Sequence, residues 1–256
     1  MKKIPAERWG REIMKGIRSR PYKFIKMCDD FHLIPFFLSE LDALRYIPDG
    51  KTEGKNLFDH VLDVLKIIEQ KLEVDKIMQN NAFVLAGLFS RIGTKTADGH
   101  DRTKFTDRLV NDYLTSWNVP SETIDEVTAI IKSYETFYKP VSEKQFCEDV
   151  LEYSREAVMV ALHFARCFAQ AEGFIDEVLE TLDDNAWNLM QVLRRFNNVA
   201  MQTEGASRYL TGREVMSLLK LKPGKRVGEL LDALDMAVGL GKVNSRAGAE
   251  AWLKAQ

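Results

Sequence analysis

Apolar residues along this chain recur at intervals of three and four. Leu57, Val61, Val64, Leu65 and Ile68 form one such series, and Val158, Ala161, Leu162, Ala165 and Phe168 form another. That spacing places apolar side chains on one face of an α-helix. Sustained alternation of the strand kind is missing. Starts and stops punctuate the helical runs. Pro5 and Pro21 suit first-turn positions, where a missing N–H costs nothing. Ser142-Glu143-Lys144-Gln145 and Thr211-Gly212-Arg213-Glu214 both carry the capping-box pattern, hydroxyl and carboxylate or amide answering each other's orphan N–H groups. Stops fall at Pro48-Asp49-Gly50, between Gly93 and Gly99, at Pro120, at Lys139-Pro140 and at Pro223-Gly224. The pattern predicts an all-α protein, a multi-helix bundle of roughly eleven to thirteen helices. Helix spacing does not repeat at a constant interval, so a solenoid is not expected.

Three segments are expected: a basic helical segment over 1–47, a central helical domain over 48–202 and a small C-terminal helical module over 203–256. The polar stretch from Met201 to Ser207 is the expected linker. A chain of 256 residues with 45% apolar and 29% charged residues buries a large core. No apolar run approaches the ~20 residues of a membrane span, and the N-terminus lacks the apolar core of a secretion signal. Cys28, Cys147 and Cys167 are odd in number and widely spaced, which points to reduced thiols and a cytoplasmic setting.

Net charge is only −2, yet it is unevenly spread. Residues 1–28 hold nine Lys/Arg against Glu7 and Glu12, and residues 121–193 hold fifteen carboxylates against five cations. Residues 194–256 turn basic again, eleven against six. Two basic ends thus flank an acidic middle, a distribution that either draws a polyanion to one surface or merely solvates long helices.

Two basic arrays are the candidate phosphate contacts. Arg8, Arg11, Lys15 and Arg18 are spaced to share one helix face, with Arg20 close behind. They form either a phosphate-tracking stripe or a solvated face opposite Ile13 and Ile17. In Lys222-Pro223-Gly224-Lys225-Arg226, Pro and Gly make a turn and the next helix begins among three cations. This is either an anion site, favoured by free N–H groups and the helix dipole, or a helix–helix turn that happens to be basic. His100, beside Asp101 and Arg102, is a further phosphate candidate. His32 and His163 read as core histidines, and Phe24, Phe31, Phe36 and Phe37 as core aromatics rather than base-stacking platforms.

A different pattern joins Phe58-Asp59-His60-Val61 to Leu85-Ala86-Gly87-Leu88-Phe89-Ser90-Arg91-Ile92-Gly93. It resembles the frame of an HD-type metal site, in which an isolated His precedes a helix ending in His-Asp. Here Ser90-Arg91 stands at the pair, and Ala165-Arg166 stands where a fourth carboxylate would fall. A hydroxyl and a fixed cation do not replace imidazole and carboxylate as metal ligands. His60, Ser90, Arg91 and Arg166 are therefore read as vestigial positions, with no metal, cofactor or catalytic residue expected. Arg91 is expected to pair with Asp59 or to hold a phosphate.

Two further segments are similar to the same family. One runs from Pro5 through Ile13 and on to Leu33-Ile34-Pro35 and Ser39-Glu40-Leu41. The other runs from Leu210 through Met216, then Leu221 through Gly228, and on to Ala251-Trp252-Leu253. In this order the three resemble the neck, body and tail of bacterial tRNA nucleotidyltransferases, the CCA-adding enzymes, and their poly(A) polymerase relatives. The family's catalytic head, a Gly-rich phosphate turn with paired Asp residues, is not in this sequence. The resemblance implies a degenerate HD-like core and a catalytically silent protein that grips tRNA or a tRNA-like helix by shape and backbone phosphate. Two alternatives stay open. The chain is a portion or subunit of a nucleotidyltransferase whose head lies on another segment or chain, or it is a degenerate HD scaffold that binds protein or nucleotide.

Overall fold

The computed structural model describes residues 4–18, 20–49, 54–72, 80–94, 102–153, 155–174, 176–203 and 208–256. Among the described residues there are fourteen α-helices and no strand beyond an isolated antiparallel bridge between Pro48 and Asn56. No helix among them is long and apolar enough to cross a membrane. The first four helices are α1 (Ala6–Ile17), α2 (Pro21–Asp30), α3 (Ile34–Phe37) and α4 (Ser39–Ala43). Then come α5 (Leu57–Leu72), α6 (Asn81–Phe89), α7 (Arg102–Ser116), α8 (Ser121–Ser133) and α9 (Glu143–Tyr153). The last five are α10 (Arg155–Ala171), α11 (Asp176–Gln202), α12 (Gly212–Leu219), α13 (Lys225–Gly239) and α14 (Arg246–Lys254). The count exceeds expectation because α3 and α4 are single turns around Pro35 and Leu38, too short to show a period.

The chain forms two compact units. One holds the residues up to Tyr138 together with Met159–Leu182; the other holds Lys139–Val158 and Asp183–Gln256. Helices α10 and α11 each contribute to both. The expected linker lies partly outside the described residues, at 204–207.

The first unit is built around α6. Every residue from Ala82 to Phe89 is buried, so this helix has no solvent face and packs on α5 and α8. Asn80 caps it by accepting from the Ala82 N–H at 2.8 Å. Gly87 lets α5 approach: a Cβ there would fall 2.6 Å from Ile68 Cδ1. At the N-terminal end, α1 rests directly on the end of α7. A Cβ on Gly10 would lie 2.3 Å from Trp117 Cβ and 2.5 Å from its Cα.

The second unit packs α13 against α9, α12 and α14. Thr211 and Glu214 make the full capping box expected of α12. At α9 one half is present, the Gln145 N–H donating to Ser142 Oγ at 3.2 Å, while the Gln145 amide donates forward to Asp149. Cys28, Cys147 and Cys167 are free and buried. Burial pushes their thiols up, Cys147 to about 11 and Cys167 to about 12, which leaves them unreactive near neutrality.

A left-handed Lys220 (φ 54°) closes α12, and a tighter stop with backward bonds to two carbonyls recurs at four other helix ends. After α2, α7, α10 and α13 a residue with left-handed backbone reverses the chain: His32 (φ 54°), Asn118 (φ 58°), Gly173 (φ 64°) and Gly241 (φ 71°). In each case two N–H groups turn back onto the last carbonyls, as in Leu33 to Cys28 at 2.8 Å and His32 to Asp29 at 2.9 Å. His32 is thus an exposed terminator and not the core residue expected of it.

Candidate functional site

Of the four positions singled out, His60 and Arg91 come together inside the first unit. His60 sits on α5 at 3% exposure, with its ring edge-on to Phe168 of α10 at 4.9 Å. Arg91 follows the end of α6, and its guanidinium carbon lies 4.7 Å from the centre of the same Phe168 ring. Its ion-pair partner is Glu172, whose side chain is 3% exposed. The expected partner, Asp59, instead accepts from the backbone N–H of Asn56 at 3.3 Å. Glu172 is the C-cap of α10, where a carboxylate faces the negative end of the helix dipole. The guanidinium offsets that repulsion and the cost of burial.

His60 Nε2 stands 3.8 Å from Glu172 Oε1, and among the described residues it has no hydrogen-bond partner. Burial lowers its pKa and the Arg91 charge lowers it further, while Glu172 acts in the opposite sense. The imidazole is therefore neutral near pH 7. The Ser90 hydroxyl donates to the Gly87 carbonyl at 2.8 Å. Arg166 is half-buried beside the fully buried Ala165. Two possible ligands and a guanidinium do not suit a divalent metal. Among the described residues no group of three or more His, Cys, Asp or Glu could hold one.

The basic face of α1 is a different kind of place. Arg8, Arg11, Lys15, Arg18 and Arg20 are all exposed. Arg11, Lys15 and Arg18 line one groove of about 330 Å³, opposite Asn81 and Asn118, with Trp117 at its floor. Glu7 also borders it. The cations are only loosely held: Arg11 lies 3.5 Å from Glu7 and Lys15 3.2 Å from Glu12, with all four side chains at least 60% exposed. Such pairs contribute about 0–1 kcal/mol and exchange readily for another anion.

The turn at Lys222–Arg226 belongs to the second unit, and its three cations are exposed. Gly224 is the N-cap of α13 in extended backbone, and no side chain caps that end. Lys225 and Arg226 reach Glu229 only at 3.6 and 3.8 Å. The first N–H groups of α13 thus open among three cations.

Glu172 and the true exposure of the aromatics escape a reading of sequence. Gly173 was the available signal for Glu172: a glycine just past an apolar series marks the residue before it as a helix C-cap. Phe31 and Phe36 are 70% and 69% exposed, so both leave the expected core, whereas Phe37 stays within it at 6%. His163 and Phe24 are half-buried. The candidate His100 and its neighbour Asp101 lie outside the described residues. No family model matches this chain, and no curated protein matches it significantly.

Proposed function

We propose that this chain is a cytoplasmic, non-catalytic RNA-binding protein that grips backbone phosphates of a tRNA or tRNA-like helix. The observation that carries this reading is the alignment of Arg11, Lys15 and Arg18 along one open groove of the first unit. A fixed row of weakly paired cations tracks a phosphate backbone without reading bases. The open N-terminus of α13 among Lys222, Lys225 and Arg226 supports it as a second phosphate contact. The resemblance of that region to the tail of CCA-adding enzymes directs the choice of RNA toward tRNA. Arg91 is not one of the contacts, since Glu172 neutralises it in the interior.

The test is a fluorescence-anisotropy titration of labelled tRNA at about 50 mM and about 200 mM salt. Binding is expected at the lower salt and is expected to weaken by at least tenfold at the higher, as counterion release requires for a few phosphate contacts (~10³-fold for six). The triple variant Arg11→Gln, Lys15→Gln, Arg18→Gln should lose most of the low-salt affinity. No affinity at low salt would overturn the reading. Tight nucleotide binding without RNA affinity would favour the scaffold alternative instead.

A further inference from the structure

On the other flank of α1 lies a second opening, and its character is aromatic. It is a recess of about 190 Å³ walled by Ile4, Trp9, Pro35, Phe36, Phe37 and Tyr113. Phe36 stands in it 69% exposed and Ile4 46% exposed, so together they present apolar surface to solvent along one wall. Trp9 and Phe37 meet at 5.6 Å between ring centres and hold the wall in place. Glu40 is held by two lining residues, accepting hydrogen bonds from the Tyr113 hydroxyl and, at 2.9 Å, from Ser39. The recess and the basic groove share Trp117, which lies beneath Gly10. Only α1 separates them, and its exposed ridge carries Arg8.

Ligand sites for drug-sized molecules measure ~300–1,000 Å³, so this recess suits one ring system and not a whole nucleotide. A flat exposed phenyl ring beside a row of cations is the combination that binds single-stranded nucleic acid, base on ring and phosphates on cations. The charge next door decides the class of occupant: Arg8, Arg11, Lys15 and Arg18 repel a basic peptide and attract a polyanion.

We infer that the recess takes an unpaired nucleobase, stacked on Phe36, from an RNA strand whose phosphates cross α1 into the basic groove. This rests on the RNA-binding reading and adds that the target has an unpaired nucleotide, such as a single-stranded end. The carboxylate of Glu40 accepts hydrogen bonds only, which favours a base that presents an amino group at its edge.

The test compares a single-stranded oligoadenylate with an abasic oligomer of the same length, by anisotropy at low salt, for wild type and Phe36→Ala. The side chain of Phe36 is mostly in solvent, so the variant is expected to keep its melting temperature. Wild type should bind the oligoadenylate about tenfold more tightly than the abasic strand, and Phe36→Ala should abolish that difference while leaving the abasic affinity unchanged. Equal binding of the two strands by wild type, with tRNA still bound, overturns this inference alone. A preference that survives Phe36→Ala also overturns it. Failure of every RNA to bind at low salt overturns the parent reading with it, and binding of a proline-rich peptide in the recess would then assign it to a protein partner.

Discussion

At the scale of single residues, the decisive pair is Arg91 and Glu172. Arg91 meets a carboxylate from another helix end, 81 residues along the chain. Neither charge would be tolerated alone at that depth. Arg91→Ala should therefore destabilise the first unit by about 3–5 kcal/mol, because it leaves Glu172 buried and unpaired. Replacing both, as Arg91→Met with Glu172→Leu, should recover most of that loss, since both partners are then apolar. Urea denaturation reads both, and a loss below about 1 kcal/mol for Arg91→Ala would show the pair to be incidental.

His60 supplies the pH dependence at the same place. Its pKa in the folded protein lies below its ordinary value of 6.5, with burial and Arg91 as the leading causes. The folded state then binds fewer protons than the unfolded chain once pH drops to that value. Its contribution is present above 6.5 and is lost as pH falls through the unfolded value toward the folded one. The urea midpoint should drop between about pH 7.5 and about pH 5.5, and by less in His60→Phe. An identical drop in the variant would assign the effect to another group.

At the scale of elements, the seating of α1 governs both openings proposed to meet RNA. Gly10 is the contact point, and the sign of its replacement is informative. In an isolated helix Gly→Ala stabilises by about 1 kcal/mol. Here the new methyl group would meet the Trp117 side chain and backbone, which have little room to move. Gly10→Ala should cost about 1–3 kcal/mol instead, measured as a lowered urea midpoint. It should also weaken RNA binding by shifting α1 off Trp117. A stabilised variant would mean that α1 is free to lift.

The helix ends show which elements could be read in advance. The long amphipathic helices and the Thr211–Glu214 cap were legible because their signals are local: a period, a hydroxyl, and a carboxylate three residues on. The end at Asn118 was marked by Pro120 two residues on, but the end at His32 was not, because a left-handed histidine leaves no compositional mark. The same local ambiguity misplaced Phe31 and Phe36. Apolar residues clustered near a proline suggest a core, yet a turn that close to the surface cannot bury all of them.

At the scale of the whole molecule, the two basic arrays belong to different compact units. If both engage one RNA, each adds its own phosphate contacts to the salt dependence. Neutralising Arg11, Lys15 and Arg18 should lower the slope of log affinity against log salt by about 2–3, and neutralising Lys222, Lys225 and Arg226 by a similar amount. The two reductions should add, as expected of separate contacts. A slope that responds to one set alone would confine the RNA to that unit.

The sequence by itself determined the all-α class and most helix positions. Both depend on neighbours within a few turns. Only the tertiary structure decided that Arg91 pairs with Glu172, 81 residues away, and not with Asp59. It alone placed the cations of α1 on a groove and left Phe36 in the open beside it. Partner choice and exposure are set by which surfaces pack together, and no local pattern encodes that.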